Sequence, residues 1–527
     1  MAKKPETKLP QAIAPELIFG LVAPIGVDLD LVSSLLSEAL SEMNYGTHVL
    51  RLTRLMREIN MKLPLDAQTY IALFKEKIAY ANAIREKFGD EALAALAISA
   101  IRAYRGEANK RADTTLASPS AAPLEERPLS HQAYILRQFK RPEEIALLRS
   151  VYGKQFILVS AYAPEQTRLR RTEAAERKSR GGVISSVDAH KSAFELIAQD
   201  AMEDADVHGQ NVRDAFPLGD VFIDTSTKTD CERTIRRFVR VLFGSNEITP
   251  TRDEYGMYMA KSASLRSSDL SRQIGAAICR DTGEVVTLGC NEVPKAGGGT
   301  YWPGDVGDGR DFVRGFDAND RHKLEVLSDL ISRLKEGGYL GSKIGNLDSP
   351  EAISQMLLRD ETARGIAASR LMDIIEFGRI IHAEMSAICD AARLGVPVRG
   401  GTLLTTTFPC HLCAKHIVAA GIKRVVFLEP YPKSYASELH DDSITVGTAI
   451  PGKVLFEPFI GISPYRYRDL FQKGKRKVSG GAAQQWHKDQ KRPMIEVYYP
   501  SYFEAEAFVV DELHQKMKQH EASIARK

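Results

Sequence analysis

The sequence predicts an α/β protein in which an N-terminal, doubly wound parallel sheet precedes a C-terminal α/β/α domain. Strands and helices alternate between about residues 17 and 225, which is typical of a parallel sheet with helices on both faces. Residues 380–420 have the pattern of a helix, a strand and a second helix. At 527 residues the chain is also too long for one compact core. These observations together predict at least two domains.

The composition is that of an ordinary globular protein, with 44% hydrophobic and 26% charged residues. A formal net charge of +3 gives no overall electrostatic reason to bind a polyanion. Six cysteines in so long a chain do not indicate a disulfide framework. The basic N-terminus lacks the apolar segment of a signal peptide, and we see no apolar run of about 18 residues. We therefore expect a cytoplasmic protein without membrane partners.

The first predicted element is a buried strand over residues 17–26 that ends in a glycine turn. A helix over residues 29–43 follows, with Asp28 placed to cap its N-terminus. A strand, a glycine turn and a capped helix form the context in which a phosphate-binding loop is credible.

The motif in that context is degenerate. A P-loop requires two glycines separated by four residues and followed by Lys and then Ser or Thr. Here five residues separate Gly20 from Gly26, Val27 stands at the lysine position, and Asp28 stands at the hydroxyl position. Without the lysine a principal charge contact to phosphate is lost. These four residues are candidate nucleotide contacts, and the alternative is a tight turn without a ligand.

A basic helix is predicted over residues 168–180. Arg168 and Arg171 are candidate phosphate contacts there, and the alternative is a solvated helix face. A final strand follows near residue 221. This order of elements resembles the nucleoside monophosphate kinases, so the resemblance implies a degenerate P-loop kinase-like domain.

The clearest chemical motif lies between residues 381 and 421. It contains His382 and Glu384 in a His-Ala-Glu triplet, then Cys410 and Cys413 in a Pro-Cys-His-Leu-Cys run. Zinc prefers imidazole nitrogen and thiolate sulfur, and a catalytic zinc keeps three protein ligands and one open position. Two cysteines at positions i and i+3 lie on one face of a helix, near N-terminal N–H groups that favour negative charge. We therefore predict a zinc site made by His382, Cys410 and Cys413.

Glu384 is two residues from His382, so on a helix the two side chains point in different directions. Glu384 is therefore not expected to bind the metal, and it can contact a metal-bound water instead. Zinc lowers the pKa of its water from about 15.7 to roughly 7, and an adjacent carboxylate can carry the proton. This pattern with a non-ligand glutamate is typical of zinc deaminases. The alternatives are a structural zinc site with Cys389 or His416 as the fourth ligand, and a redox pair of cysteines.

The motif resembles the deoxycytidylate deaminase branch of the cytidine deaminase superfamily. The similar stretches read HAEMSAI, TTTFPCHLCAKHIVAAGIKRVVF and, upstream, SRQIGAAIC from Ser271. The resemblance implies that His382, Cys410 and Cys413 bind zinc and that Glu384 shuttles protons. Ser386 departs from the family, which more often has Asn at this position.

Further candidates concern the substrate. A β-hairpin is predicted around residues 281–283, and Asn291 lies at its end. Related deaminases place an amide against the sugar at this position. Arg272 is a candidate phosphate contact, and Glu292 is a candidate for reading the base. The family has a tyrosine against the substrate near Tyr431, and Lys433 lies beside it.

The combination of both halves resembles the bacterial anti-phage dCTP deaminases. The stretches that carry this similarity are GQNVRDAFP from Gly209 and VLFEPFIGISP from Val454. The resemblance implies conversion of dCTP, and also dCMP, to deoxyuridine nucleotides and ammonia, which depletes dCTP during phage infection. It also implies an inhibitory small RNA. We further expect a homo-oligomer and Mg²⁺ carried with the nucleotide.

The predicted domains follow from these assignments. They are a flexible N-terminus (1–15), the kinase-like domain (16–226), the deaminase-like domain (227–480) with a helical insertion at about 297–375, and a C-terminal extension (481–527). Two other functions stay open, a polynucleotide cytosine or adenine deaminase and a bifunctional salvage kinase and deaminase. The missing P-loop lysine disfavours the second of these.

Overall fold

A computed structural model describes most of the chain. The described residues are 14–113, 123–201, 203, 208–341, 349–359, 365–431, 433–478, 480–484, 486, 492–495 and 502–525. The chain forms two compact units, which are residues 1–250 together with 460–527, and residues 251–459. None of the helices described is long and apolar enough to cross a membrane.

The strands are β1 (Leu17–Val22), β2 (Gly46–Arg51), β3 (Gln132–Phe139), β4 (Phe156–Tyr162), β5 (Val221–Asp224), β6 (Gly275–Cys279), β7 (Val285–Cys290), β8 (Thr402–Thr407), β9 (Arg424–Glu429), β10 (Ile444–Val446), β11 (Val454–Pro458) and β12 (Gly461–Ile462). The helices of the first unit are α1 (Leu29–Ser41), α2 (Leu52–Leu55), α3 (Tyr70–Phe88), α4 (Ala92–Asp113), α5 (Pro142–Tyr152), α6 (Glu165–Ser179), α7 (Ser186–Ala201), α8 (Val212–Ala215) and α9 (Lys228–Leu242). The second unit has α10 (Arg252–Ser264), α11 (Asp311–Arg314), α12 (Ala318–Glu336), α13 (Pro350–Leu358), α14 (Ala383–Leu394), α15 (His411–Ala419) and α16 (Ala436–Leu439). The C-terminal part of the first unit adds α17 (Tyr467–Phe471) and α18 (Tyr502–Ala525).

The sheet of the first unit has the strand order β12-β5-β4-β1-β3-β2. Five strands are parallel, and the short β12 pairs antiparallel with β5 at one edge. β1 is buried at all six positions, because alternate side chains enter different cores on the two faces of the sheet. Ile18 belongs to one core and Phe19 to the other. The predicted parallel sheet with helices on both faces is confirmed. Its identity as a P-loop kinase domain stays a prediction.

The first unit ends elsewhere than the predicted kinase-like domain. Helix α9 lies beyond the predicted boundary at 226 and packs on the sheet of the first unit, through Ile235 and Phe238. After residue 459 the chain returns to this unit, where β12 joins its sheet and α18 packs through Tyr502 and Leu513. The contacts of these C-terminal elements are with residues distant in sequence, so the local pattern did not reveal them.

The sheet of the second unit has the order β10-β11-β9-β8-β6-β7. The pair β6 and β7 forms the predicted antiparallel hairpin, and β8, β9, β11 and β10 run parallel to one another. The predicted helix, strand and helix of the metal motif are confirmed as α14, β8 and α15. Part of the predicted insertion is described, and there α12 and α13 pack together through Leu327, Ile331 and Ile353.

Two glycines allow helices to approach this sheet closely. A Cβ at Gly289 in β7 would lie 2.6 Å from the backbone nitrogen of Ala387 in α14 and would also meet the Ala383 carbonyl. A Cβ at Gly275 in β6 would lie 2.5 Å from the backbone nitrogen of Ser264 at the end of α10. Only glycine permits these separations. The contact at Gly289 fixes the start of α14, which is where the metal motif lies.

Candidate metal centre and active site

Three ligand-type side chains meet between the N-termini of α14 and α15. His382 is the N-cap of α14, Cys410 is the N-cap of α15, and Cys413 lies in the first turn of α15. His382 Nδ1 is 3.2 Å from Cys410 Sγ and 3.4 Å from Cys413 Sγ. The Cys413 backbone N–H donates to Cys410 Sγ at 3.4 Å. The two helix termini therefore place one nitrogen and two sulfurs around a common point.

These separations fit a tetrahedral zinc ion. With Zn–N near 2.0 Å and Zn–S near 2.3 Å, tetrahedral angles place the nitrogen and each sulfur about 3.5 Å apart. The ligand atoms of the three residues all lie within 4.8 Å of one another, and the two cysteines are buried. Neither Cys389 nor His416 joins this cluster. Cys389 is exposed, and the His416 ring is hydrogen-bonded to the Leu412 carbonyl. Three ligands leave the fourth position for a water or substrate.

Glu384 lies beside the cluster without belonging to it. Its side chain is 4% exposed in the first turn of α14. The Thr405 hydroxyl of β8 lies 3.1 Å from Glu384 Oε1, and the Cys413 thiol donates to Oε2 at 3.4 Å. The carboxylate is thus held by a neighbouring strand while it faces the ligand sulfur. Sequence reasoning missed Thr405, since only the pairing of β8 with β6 and β9 places it beneath Glu384.

Cys410 and His382 stabilise each other's charged forms. A hydrogen bond from Cys413, followed by the hydrogen bond and positive charge of His382, lowers the pKa of Cys410 to about 4 against the effect of burial. Burial opposes the charged form of His382, but the Cys410 thiolate raises its pKa to about 8. Burial raises the pKa of Cys413. Burial is also the main cause that raises the pKa of Glu384, and the negative charge of Cys410 raises it further. A cation that binds here would displace protons from His382 and Cys413, whose raised pKa values favour their protonated forms.

The Tyr431 hydroxyl feels the charges of both Cys410 and Arg272. Burial raises the pKa of the Tyr431 hydroxyl, the charge of Cys410 raises it further, and the charge of Arg272 lowers it. Arg272 is exposed on the loop before β6. Lys433 is different, because it forms an ion pair with Asp373 at 2.5 Å. The charges of Cys410 and Arg272 therefore both reach the Tyr431 hydroxyl, whereas Lys433 is engaged by Asp373 at the surface.

Asn291 and Glu292 hold the loop that carries Arg272. Asn291 Nδ2 donates to Asp269 at 2.8 Å and to the Arg272 carbonyl at 2.7 Å, and its Oδ1 accepts from the Ile274 N–H. Glu292 accepts from the backbone and hydroxyl of Ser268. Both side chains are buried. Their contacts make them supports of the 266–274 loop. Asn291 Oδ1 can accept a second hydrogen bond, and the predicted sugar contact would form through this oxygen.

The predicted nucleotide contacts of the first unit lie around the end of β1. Gly20 is inside the strand, where a Cβ would meet the ring of Phe156 at 2.7 Å, so packing requires this glycine. Gly26 has a φ of +87°, and a Cβ there would meet Arg168. Asp28 caps α1 by accepting from the Leu31 N–H at 3.0 Å. Val27 is half-buried and packs against one of the cores.

Arg168 and Arg171 lie over the carboxyl ends of the parallel strands. Arg168 donates to the carbonyls of Ala163 and Ile25, and burial lowers its pKa. Arg171 donates to the Thr225 carbonyl, and its Nη1 is buried without a described hydrogen-bond partner. The two arginines therefore lie at the edge of the sheet predicted for phosphate, bonded to backbone oxygens.

Sequence reasoning missed an internal carboxylate at this loop. Asp200 of α7 accepts from the Ile25 N–H at 2.6 Å and from Lys140 Nζ at 2.6 Å. Lys140 also donates to the Ala23 carbonyl. Asp200 is 175 residues from Ile25, and no sequence signal that we recognise marks the pair. An internal anion and a lysine thus occupy the loop after β1.

Comparison with known proteins places the metal motif in a known family. The family described as "Cytidine and deoxycytidylate deaminase zinc-binding region" matches residues 250–429. The deoxycytidylate deaminase of Enterobacteria phage T2 is 48% identical over 135 residues, which cover 21% of this chain and 71% of that protein. ComE operon protein 2 of Bacillus subtilis is 34% identical over 124 residues, 23% of this chain and little more than half (57%) of that protein.

A solved structure gives a weaker comparison. The crystal structure of dCMP deaminase from the cyanophage S-TIM5 in its apo form is 15% identical in sequence, covers 40% of this chain and 100% of that chain, and gives a TM-score of 0.21. A TM-score this low carries no conclusion about the fold. The sequence similarity over residues 250–429 is the informative result, because this range contains the His382, Cys410, Cys413 cluster and Glu384.

Proposed function

We propose that this chain, which belongs to the family of zinc-binding cytidine and deoxycytidylate deaminases, removes the exocyclic amine of deoxycytidine nucleotides by hydrolysis. The observation that carries this proposal is the convergence of His382, Cys410 and Cys413 beside the buried carboxylate of Glu384. The products would be a deoxyuridine nucleotide and ammonia.

The residues present fit zinc as the cofactor, and His382, Cys410 and Cys413 would hold it. Bound zinc supplies a Lewis acid that lowers the pKa of a water molecule to roughly 7. Mg²⁺ would enter only with the phosphates of the nucleotide.

Glu384 is the proton carrier in this proposal. Burial raises its pKa, which brings the carboxylate closer to the operating pH and suits it both to take and to return a proton. It would accept one proton from the attacking water as the oxygen bonds to C4, and pass that proton to the pyrimidine ring nitrogen. It would then carry the remaining proton of that oxygen to the amine, so that the C4–N bond breaks, ammonia leaves and a C4 carbonyl remains. Contact with Thr405 orients the carboxylate on one side, so the other oxygen faces the cluster.

Arg272 and Tyr431 are two of the proposed substrate contacts. The exposed guanidinium of Arg272 can meet a phosphate, and its charge acts on Tyr431, which in turn lies close enough to feel the Cys410 charge. Asn291 Oδ1 would accept a hydrogen bond from a sugar hydroxyl. Glu292 and Lys433, already bonded to Ser268 and Asp373, would act by shaping the walls of the site.

We propose dCTP as the principal substrate and dCMP as a second one. This choice, the depletion of dCTP as a defence against phage, and the inhibitory small RNA rest on the resemblance to the anti-phage deaminases. Kinase activity in the first unit is not part of the proposal, because Val27 stands where phosphoryl transfer needs a lysine.

The test is to incubate purified full-length protein with dCTP, dCMP, CTP and single-stranded DNA and to measure released ammonia. Ammonia from the free deoxycytidine nucleotides is expected. Release only from single-stranded DNA would contradict the proposal in favour of a polynucleotide deaminase. Transfer of phosphate from ATP to a nucleoside monophosphate would instead establish the bifunctional salvage enzyme. Expression in a phage-infected host, with dCTP measured against the Glu384→Gln variant, tests the defensive role.

A further inference from the structure

We infer that the first unit contains a binding site for an oligophosphate group in a cavity between α1 and the carboxyl ends of β2 and β3. The cavity has a volume of about 260 Å³. It is lined by Asp30, Ser33, Ser34 and Ser37 of α1, Val49 and Arg51 of β2, Arg54 of α2 and Arg137 of β3.

The cavity lies where parallel sheets commonly bind ligands. Arg51 is the last residue of β2, and it pairs in register with Arg137 of the adjacent parallel strand β3. Ligands of open α/β sheets bind outside the carboxyl ends of the strands. Because Arg51 and Arg137 are paired positions on neighbouring strands, their side chains lie side by side. Helix α2 begins directly after β2 and contributes Arg54. Three guanidinium groups therefore converge on one space.

The positive charge in this space exceeds the negative charge. Asp30 is the single carboxylate of the lining, and it pairs with Arg51 at 2.6 Å and with Arg137 at 2.5 Å. Arg54 is exposed, and its side chain forms no hydrogen bond or ion pair within the described residues. Nearby, burial lowers the pKa of Lys77, and the positive charges of Arg57 and Arg51 lower it further. Within the lining one carboxylate thus faces three arginines. Glu38, which accepts from Ser34, adds a second carboxylate beside the cavity, and the remaining positive charge favours an anion.

The serines supply matching hydroxyl groups. Ser33 donates to the Leu29 carbonyl at 2.7 Å, so its oxygen stays available as an acceptor, and Ser34 donates to Glu38. Ser37 is half-buried, and its hydroxyl has no hydrogen bond within the described part of the chain. Planar guanidinium groups and hydroxyl groups can together donate several hydrogen bonds to the oxygens of a phosphate.

The loop after β1, the usual phosphate position in such a fold, already contains its own anion. Asp200 accepts from the Ile25 N–H and from Lys140, and Asp28 caps the first turn of α1. A phosphate there would face two carboxylates. At the α1 cavity the single carboxylate, Asp30, is 69% exposed and can swing into solvent while its two arginines bind the ligand. The class of ligand is an oligophosphate, either free or as part of a nucleotide.

The test is calorimetric titration of the zinc-loaded full-length protein with inorganic tripolyphosphate and with ATP, which has no cytosine. Arg54→Gln, at an exposed position without a described partner, is expected to weaken binding roughly tenfold or more. Ser37→Asp, which adds a carboxylate to the cavity, is expected to abolish binding. Arg233→Gln removes one charge from an exposed ion pair on α9 and serves as the matched control, with unchanged affinity.

The source of the phosphate follows from the two probes. Tighter binding of ATP than of tripolyphosphate identifies a nucleotide, and equal binding identifies a free oligophosphate. The inference is overturned if neither probe binds, or if Arg54→Gln and Ser37→Asp bind like the wild type. It is also overturned if Arg272→Gln, near the metal cluster, is the variant that loses binding.

Discussion

Glu384 and the three ligand-type residues occupy neighbouring positions but have separate roles. His382 and the cysteines place nitrogen and sulfur at the separations that zinc requires, whereas Glu384 contacts this set only through the Cys413 thiol. Loss of the carboxylate should therefore leave the metal in place, and loss of a sulfur should remove it.

Glu384→Gln is expected to bind zinc like the wild type while kcat falls by about 10²- to 10⁴-fold, because the amide cannot carry a proton. Zinc per chain and steady-state rates with dCMP and dCTP measure this. Glu438→Gln changes an exposed glutamate of the same unit and should leave both values unchanged. Wild-type turnover by Glu384→Gln would refute the assignment of the proton carrier.

Cys413→Ala is expected to lose zinc and activity together, and to lower the thermal stability of the second unit, since metal binding is coupled to folding. Atomic emission of dialysed protein and thermal unfolding provide the readouts. Cys389→Ala is the matched control, because that cysteine is exposed and outside the cluster. A Cys413→Ala protein that retained full zinc would show that the ion binds elsewhere.

At the scale of elements, the zinc helices are positioned by close backbone contacts as well as by side chains. Gly289 of β7 lies so near α14 that a Cβ would meet the backbone of Ala383 and Ala387. Ala383 directly follows His382 and precedes Glu384. A displacement of this turn would move a ligand and the carboxylate together.

Gly289→Ala is therefore expected to lower kcat/KM sharply and to cost about 1–3 kcal/mol of stability through overpacking. Deamination kinetics and chemical unfolding measure the two effects. At Gly341 an added Cβ meets nothing within 4 Å among the residues that the structure describes, so Gly341→Ala is the control and should behave like the wild type. Equal behaviour of both variants would disprove the positioning role of the β7 contact.

The sequence predicted most of these elements but fewer of their contacts. The helix, strand and helix of the metal motif were predictable because their apolar spacing and capping are local, and so was the metal set, because its residues stand at the ends of those elements. Thr405 and the pair of Asp200 with Ile25 were not, since these contacts depend on which distant strands and helices pack together. The same reason explains why the predicted domain limits differ from the compact units.

At the scale of the whole molecule, the C-terminal helix is part of the first unit. Glu506 of α18 and Glu16 at the start of β1 both form ion pairs with Arg105 of α4, at 2.7 and 2.8 Å, and all three side chains are fully buried. The hydroxyl of Tyr152 donates to Glu506, and that of Tyr502 donates to Glu16. A buried, fully hydrogen-bonded cluster thus joins the two ends of the chain.

Removing one partner of a buried ion pair is costly, so Glu506→Ala is expected to destabilise the first unit by about 3 kcal/mol or more. Calorimetric unfolding should show a lower transition temperature for that unit. Glu512→Ala removes an exposed pair with Lys516 on the same helix and should change stability by less than about 0.5 kcal/mol. Equal transition temperatures for the two variants would contradict the anchoring role of the cluster.

The most direct test of the account is the rate of dCMP and dCTP deamination as a function of bound zinc. Protein stripped by a chelator and reloaded stepwise is expected to recover ammonia release in proportion to zinc, up to one ion per chain. Full activity in protein that contains no metal, or one zinc per chain without deamination of either nucleotide, would contradict the central claim.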